Sequence, residues 1–331
     1  MTALYPLRFE PIYQYRIWGG QRLRYLVNAP LPDGQPIGEA WLLSDRDDHP
    51  SVVAEGPLAG RSLRHVLEEF PAQIMGALSG RFARFPLLLK FLDVTGSLSV
   101  QVHPSDGAKE LLPVGDTGKT EAWVVLQAGP EARVFAGLKS FTSGAALRQA
   151  IAAGTVADDL ASFTPAPGDT VLIPAGTVHS LSDVVVFEVQ QNSDVTFRLY
   201  DWGHIDPTTG RPRKLQVDQA MACIDFRQGS IGPLAARVQQ VEPVLRESLV
   251  KCAQFGVTRF QGRTPFSVGS PMQPRVLVCL SGGGQLANAD ADYPFHQGEV
   301  LLLPAVIGAC SCRPQGPTSV LEISLPQDSR A

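Results

Sequence analysis

The run Gly168-Asp169-Thr170-Val171-Leu172-Ile173-Pro174-Ala175-Gly176-Thr177-Val178-His179 decides how this chain folds. Gly168-Asp169 reads as a turn and Thr170 to Ile173 as a short strand. Pro174-Ala175-Gly176 then redirects the chain to present His179. Working outward, Gln101-Val102-His103 and Lys119-Thr120-Glu121 each set two polar side chains two positions apart, hence on one face of a strand. A lone His or Glu in an apolar sequence is usually a hydrogen-bonded structural residue. Gln101, His103, Glu121 and His179 together offer two imidazoles, a carboxylate and an amide oxygen, a mixed N/O set for one divalent ion. Such a set suits one Zn²⁺ per chain, admits Mn²⁺, Co²⁺ or Fe²⁺, and excludes thiolate chemistry. Its single negative charge leaves the ion a net cation able to polarise a substrate oxygen.

Short β runs between Gly/Pro turns fill the chain, which predicts a mainly β sandwich or barrel with a few helices rather than alternating βαβ units. Ser62 to Leu78 reads as one helix with Ser62 as its N-cap, Ser105-Asp106 as the cap of a short helix through Leu112, and Ser143 to Ala153 as a helix ending at Gly154. Asp218 to Cys223 is a fourth. Residues 229 to 245 turn irregular, which divides the chain into 1–230 and 231–331. Beyond the division, Val276 to Leu280, Gly282 to Leu286 and Gly298 to Ala305 repeat the strand and turn rhythm of the first part. Small or apolar residues stand where the metal-binding histidine would be, and His296 is the nearest histidine, so the second unit is read as metal-free.

With 331 residues and 44% of them hydrophobic, the chain can bury real cores. Its net charge of −4, with both signs intermixed, provides no field to hold nucleic acid or an anionic membrane surface. The N-terminal stretch lacks the basic start and apolar core of a signal peptide, and no apolar window approaches the length of a membrane span. A cytoplasmic protein is expected, as a monomer or homodimer. Five cysteines, odd in number, argue for a reducing compartment, and Cys310 and Cys312 read as small buried hydrophobes.

Val184 to Tyr200 reads as one strand with a polar face of Glu188, Gln190, Asn192, Asp194, Thr196 and Arg198. If the wall that turns the metal inward also turns this row inward, the row lines a cavity that a polyhydroxylated ligand would satisfy. Ser99 shares the face of Gln101 and His103. Lys90, Lys119, Lys139 and Arg198 are candidate phosphate contacts.

Gly168 to His179 fits the second cupin motif, G(x5)PxG(xx)H, at every specified position. More narrowly, Phe85 to Asp93, Leu98 to Asp106, Gly118-Lys-Thr-Glu-Ala-Trp123, Ile173 to His179 and Glu188 to Trp202 resemble the type I phosphomannose isomerases. Trp18-Gly-Gly20 and Glu39-Ala-Trp41 are similar too. The resemblance covers most of residues 10 to 205. It implies two cupin-type (jelly-roll) β-barrels, of which 1–230 is the catalytic one. It assigns the metal to Gln101, His103, Glu121 and His179 and gives Lys119 and Arg198 catalytic or substrate roles, while for the acid/base group the sequence offers Glu188, Asp194 and Lys119 without ranking them. Ser99, Lys90, Glu39 and Trp18 become substrate contacts. The chain departs from the short bacterial pattern YDWGR at His204. The implied reaction converts mannose 6-phosphate to fructose 6-phosphate through a cis-enediol, with a metal as electrophile and an acid/base group at the carbon. A cupin oxygenase, which leaves metal positions open where Gln101 fills one, and a non-catalytic sugar-binding cupin are the other classes.

Overall fold

The computed structural model describes residues 4–27, 29–140, 142–288 and 291–326. Strands dominate and helices are short, as the mainly β reading expects. A nine-stranded sheet runs in the order Phe197–Tyr200, Val100–Val102, His179–Gln191, Leu87–Ser97, Ile37–Leu43 and Ile12–Gly20. The long strand Glu121–Leu138 joins His179–Gln191 to Thr170–Ile173 and Leu160–Phe163, which rolls the sheet over.

Alternation along two central strands shows what the sheet separates. Leu87, Leu89 and Phe91, with Val185, Phe187 and Val189 on the neighbouring strand, enter one apolar core. Leu92, Val94, Val184 and Val186 enter a second core inside the roll, and Lys90 and Glu188 continue that inner face into a cavity. Both faces are covered, so each strand reads as nearly continuous apolar sequence. The Phe187 ring is fully buried and meets Phe91 edge-on, with centroids 5.9 Å apart. A Phe187→Ala chain is expected to unfold about 3–5 kcal/mol more easily, read from the denaturant midpoint at unchanged m-value.

The rest of the chain builds a seven-stranded sheet facing a four-stranded one. Phe260, Leu277, Leu301 and Val320 of the first interdigitate with Val268, Leu286, Phe295, Cys310 and Cys312 of the second, so this interior is packed with apolar side chains. Cys310 and Cys312 are buried there as small hydrophobes. The first core is shared between the halves, since Leu249, Val257, Val276 and Leu321 pack into it. One connection runs against chain order. The strand Leu7–Arg8 pairs antiparallel with Val300–Leu303, Leu7 opposite Leu302, at the edge of the C-terminal sheet.

Three local expectations are corrected. Ser62 caps Leu63–Glu69 through the His65 amide as anticipated, but the helix stops at Phe70, whose φ of −126° is non-helical, and restarts at Pro71–Met75. Pro71 supplies no amide hydrogen to continue the first helix and is suited to begin the second. The helix expected from Ser105 is a single turn, Lys109–Leu111, with Ala108 at its cap position. The polar row does not form one strand. The chain leaves the ladder after Gln191, where the Ser193 amide donates to the Gln191 carbonyl at 2.7 Å, and resumes at Phe197–Tyr200. The helix Gly144–Ala153 is as expected, with Ser143 as N-cap and left-handed Gly154 at its end. Among the described residues no helix is long and apolar enough to cross a membrane.

Candidate functional site

Strand pairing assembles the site. Gln101 lies opposite Arg198 on one side and His179 on the other, so three sequence-distant residues stand abreast. His103 is tied in through its own carbonyl, which accepts the Gly176 amide at 2.9 Å. Gly176 has φ +86°, and a Cβ there would lie 3.1 Å from the Cys223 carbonyl oxygen, so the turn before His179 requires glycine. The donor atoms of His103, Glu121 and His179 all lie within 4.8 Å of one another, and the three side chains are at most 1% exposed.

Second contacts fix both imidazoles. His103 Nδ1 donates to the Val195 carbonyl at 2.8 Å and His179 Nδ1 to the Thr177 carbonyl at 2.9 Å, which leaves each Nε2 as a bare lone pair. These lone pairs face the Glu121 carboxylate, His103 Nε2 at 3.4 Å and His179 Nε2 at 3.3 Å. Burial, with Lys119 nearby, pushes His103 down to about 3, and burial likewise lowers His179, so both rings are neutral. Burial raises the Glu121 carboxyl, but Lys119 at 3.0 Å outweighs it and holds it well below the usual range. Acceptors therefore face acceptors. Among the described residues His103 Nε2 has no hydrogen-bond partner although it is buried, an arrangement that costs free energy unless a cation sits between the groups. The donor set thus fits a divalent metal.

Gln101, expected as the fourth ligand, stands beside these three. Its amide oxygen accepts from Ser99 Oγ at 3.1 Å and its nitrogen lies 3.2 Å from His179 Nε2. A half-turn of the amide would bring the oxygen to the place of the nitrogen. Trp123 packs edge-on to the His179 ring at 5.5 Å and closes the apolar side.

Beside these groups opens a cavity of about 440 Å³, large enough for a hexose phosphate, lined by Trp18, Glu39, Lys90, Ser99, Gln101, Lys119, Glu188, Asp194, Thr196 and Arg198 among others. Of the polar row and the candidate substrate and phosphate contacts, all are here except Gln190, Asn192 and Lys139. The Gln190 amide donates to the Ser193 carbonyl, Asn192 donates to the Asp45 carbonyl at 3.3 Å, and Lys139 is exposed and donates to the Asp158 carbonyl at 2.7 Å. Asn192 turns away because the extended backbone ends at Gln191, whereas Gln190 is still in the ladder opposite Glu121 and is buried outside the lining. His204 lies 3.7 Å from the Asp201 carboxylate and outside the cavity lining.

Charge inside the cavity is arranged in pairs. Lys90 Nζ lies 3.6 Å from both Glu39 and Glu188, 3.8 Å from Asp194, and over the Trp41 ring. Burial raises Glu39, but Lys90 and Arg16, with the Trp41 indole N–H at 2.6 Å, hold it at about 2. Glu188 behaves oppositely. Burial, reinforced by the negative charge of Glu121, pushes it up to about 7, and only its Oε2 has a hydrogen bond, from the Trp123 indole at 3.0 Å. Burial and the neighbouring Arg213 lower the Arg198 pKa without discharging a guanidinium, and its Nε has no protein partner.

Two cations escaped the sequence reading. Arg16, which grips Glu39 through two hydrogen bonds of 2.9 and 3.3 Å, lines the wall, and so does Arg213, which donates to both oxygens of buried Asp201. Arg16 had a readable signal, since it alternates with Trp18 on one strand face. Arg213 had none, because a hairpin brings it back to the rim.

The raised Glu188 pKa has a sign that can be checked. A carboxyl whose pKa rises from 4.5 in the unfolded chain to about 7 on folding favours the fold while protonated, and that advantage is lost as pH rises through 7. A metal-free Glu188→Gln chain should match the parent near pH 5 and exceed its stability by roughly 1–3 kcal/mol at pH 8. Parallel denaturation curves at the two pH values decide it, and equal stabilities at pH 8 would refute it.

Residues 7–120 match the family model described as phosphomannose isomerase type I, catalytic domain. Over 314 residues the chain is 34% identical to a probable mannose-6-phosphate isomerase, GmuF, of Bacillus subtilis, covering 92% of this chain and 95% of the relative. It is 32% identical to the mannose-6-phosphate isomerase ManA of the same organism, covering 92% and 94%. The crystal structure of a Bacillus subtilis mannose 6-phosphate isomerase superposes with a TM-score of 0.88 at 28% identity, covering 97% of this chain and 99% of the other.

Proposed function

The chain belongs to the type I phosphomannose isomerase family, and from that premise we propose how its own residues divide the work of interconverting mannose 6-phosphate and fructose 6-phosphate. The enzyme is a metal-dependent aldose–ketose isomerase with a cupin fold. The observation that best supports the assignment of residues is the ring of buried, unprotonated donors beside a polar cavity of sugar size. Gln101, His103, Glu121 and His179 hold the ion, and their N/O chemistry favours Zn²⁺. Zn²⁺ held there supplies Lewis-acid polarisation of the substrate's carbonyl and hydroxyl oxygens.

Glu188 is the group we assign to the carbon-bound proton. Its pKa of about 7 lets it both take and return a proton near neutrality, and its Oε1 is free of hydrogen bonds. It removes the proton from C2 of the aldose and returns it to C1 of the cis-enediol while the O2 hydroxyl proton passes to O1, and the reverse reaction runs the same path. Lys90, within ion-pair reach of Glu188 and Asp194, steadies both carboxylates. Lys119 keeps Glu121 ionised. Arg198 bears the negative charge that develops on the substrate oxygens. Arg213 shares the mouth with Arg211 and Lys214 in an adjoining cleft and takes the phosphate. Trp18, Ser99 and Glu39 shape and hydrogen-bond the sugar's side of the cavity. Residues 224–236, which contain neither helix nor strand, support a division into a catalytic unit of 1–230 and a metal-free unit of 231–331.

Purified protein assayed for fructose 6-phosphate formation from mannose 6-phosphate, before chelation, after it, and with Zn²⁺ restored, tests the proposal. Activity should vanish with the metal and return with it. A zinc-loaded protein with no isomerase activity would overturn it.

A further inference from the structure

The segment that carries Lys119 has every main-chain amide engaged. Thr117 N–H donates to Asp116 Oδ1 at 2.9 Å, Gly118 to Asp106 Oδ1 at 2.8 Å, Lys119 to the Pro104 carbonyl at 3.0 Å, and Thr120 to Gln191 Oε1 at 2.9 Å. Two of these four acceptors belong to side chains that also bind each other, because Gln191 Nε2 donates to the Asp106 carboxylate oxygens at 3.2 and 3.1 Å. Gln191 thus stands as a bridge, accepting from the catalytic segment on one end and donating to a second anchor of the same segment on the other. Neither residue lines the sugar cavity. Both line a different cavity, of about 530 Å³, that shares no lining residue with the first.

We propose that Asp106 and Gln191 are a positioning pair that sets where Lys119 and Glu121 deliver their side chains. The inference rests on the reading of Lys119 and Glu121 as active-site residues. The amide at 191 meets both demands with separate atoms, its oxygen an acceptor toward the Thr120 N–H and its nitrogen a donor toward a carboxylate. Arg46 braces the other end of the segment with a bidentate pair to Asp116 at 2.9 and 3.1 Å and a bond to the Asn192 carbonyl at 3.0 Å. Displacing a catalytic group by about an ångström costs on the order of 10²-fold in rate, so a partial shift of this segment registers in turnover while the substrate contacts remain.

The bridge can be exchanged. In Gln191→Glu a carboxylate still accepts from Thr120 but faces the Asp106 carboxylate. In Asp106→Asn the new amide still accepts from Gly118 but turns its own N–H₂ toward that of Gln191. Each single variant sets like groups against each other at 191 and 106. The double variant restores a donor–acceptor contact, since the carboxylate now at position 191 accepts from the amide now at position 106, with donor and acceptor exchanged. The expected result is a kcat about tenfold lower in each single variant at nearly unchanged KM, and recovery in the double to within about threefold of the parent. Zn²⁺ affinity by chelator competition should follow the same pattern, with losses of about tenfold in the singles, because Glu121 follows the segment. That readout does not depend on isomerase activity, so an inactive parent would sink the functional reading and leave the pair still under test. If one single variant fails to fold, the other and the double provide the same comparison. A double variant as impaired as the singles, singles with unchanged kcat and Zn²⁺ affinity, or losses that only track a fallen Tm would each overturn the proposal.

Discussion

A Glu121→Gln chain should emerge from purification without its divalent ion and with mannose 6-phosphate turnover down by at least about 10³-fold, the rate equivalent of several kcal/mol of lost electrophilic stabilisation. The substitution keeps shape and size and removes the one formal charge of the donor set. Its second effect falls on Lys119, whose ammonium lies 3.0 Å from the carboxylate and is almost fully buried. Burial lowers the Lys119 pKa, but Glu121 first and Glu188 and Asp194 after it raise it well above the ordinary lysine value, so removing Glu121 leaves a buried cation with its nearest counter-charge gone. Metal analysis, kcat and a melting curve on the same preparation separate the effects. Full metal occupancy in a folded Glu121→Gln protein would remove Glu121 from the ligand set.

The second large effect is expected at Arg198. Arg198→Ala should lose about 10²–10³-fold in turnover while metal content stays at the parent level, the usual scale for deleting one preorganised donor at a developing negative charge. Arg198 lies opposite Gln101 in the ladder, so its backbone is held independently of its head group, and its main-chain N–H is bound by Gln216 Oε1 at 3.0 Å. Truncation therefore empties part of the cavity without moving the metal ligands. Arg198→Lys should recover only part of the loss, because a point charge does not reproduce the guanidinium fork. Equal loss of metal and activity in Arg198→Ala would show that the side chain holds the site together instead of serving the reaction.

The faces that carry Gln101 with His103 and Lys119 with Glu121 are legible because the spacing is local. Two residues apart on a strand means one face, and a Pro-Ala-Gly turn fixes where His179 points, so neither inference needs the tertiary fold. The Thr170–Ile173 strand has the bounds that the turn residues imply. Legibility ends where facing depends on the backbone staying extended. Alternation carried from Glu188 to Arg198 runs through a break at Ser193, and it puts Asn192 in the cavity when its amide serves the Asp45 carbonyl, while Gln190, before the break and opposite Glu121, spends its amide on the Ser193 carbonyl. Arg213 shows the complementary limit. Its place at the rim follows from a hairpin and from Asp201, and neither leaves a periodic trace. Pro71 is a different case, because the break in the 62–78 helix is written in the sequence and is outweighed there by the apolar stripe on either side.

The pairing of Leu7 with Leu302 carries a consequence for how the protein is made. A ribosome adding about 5–20 residues per second exposes the first strand many seconds before its partner exists. Until Val300–Leu303 is made the buried Leu7 has no sheet edge to join, while the nine-stranded sheet, whose strands all lie between residues 12 and 200, can already form. The C-terminal sheet therefore closes one edge with a strand made long before its other members.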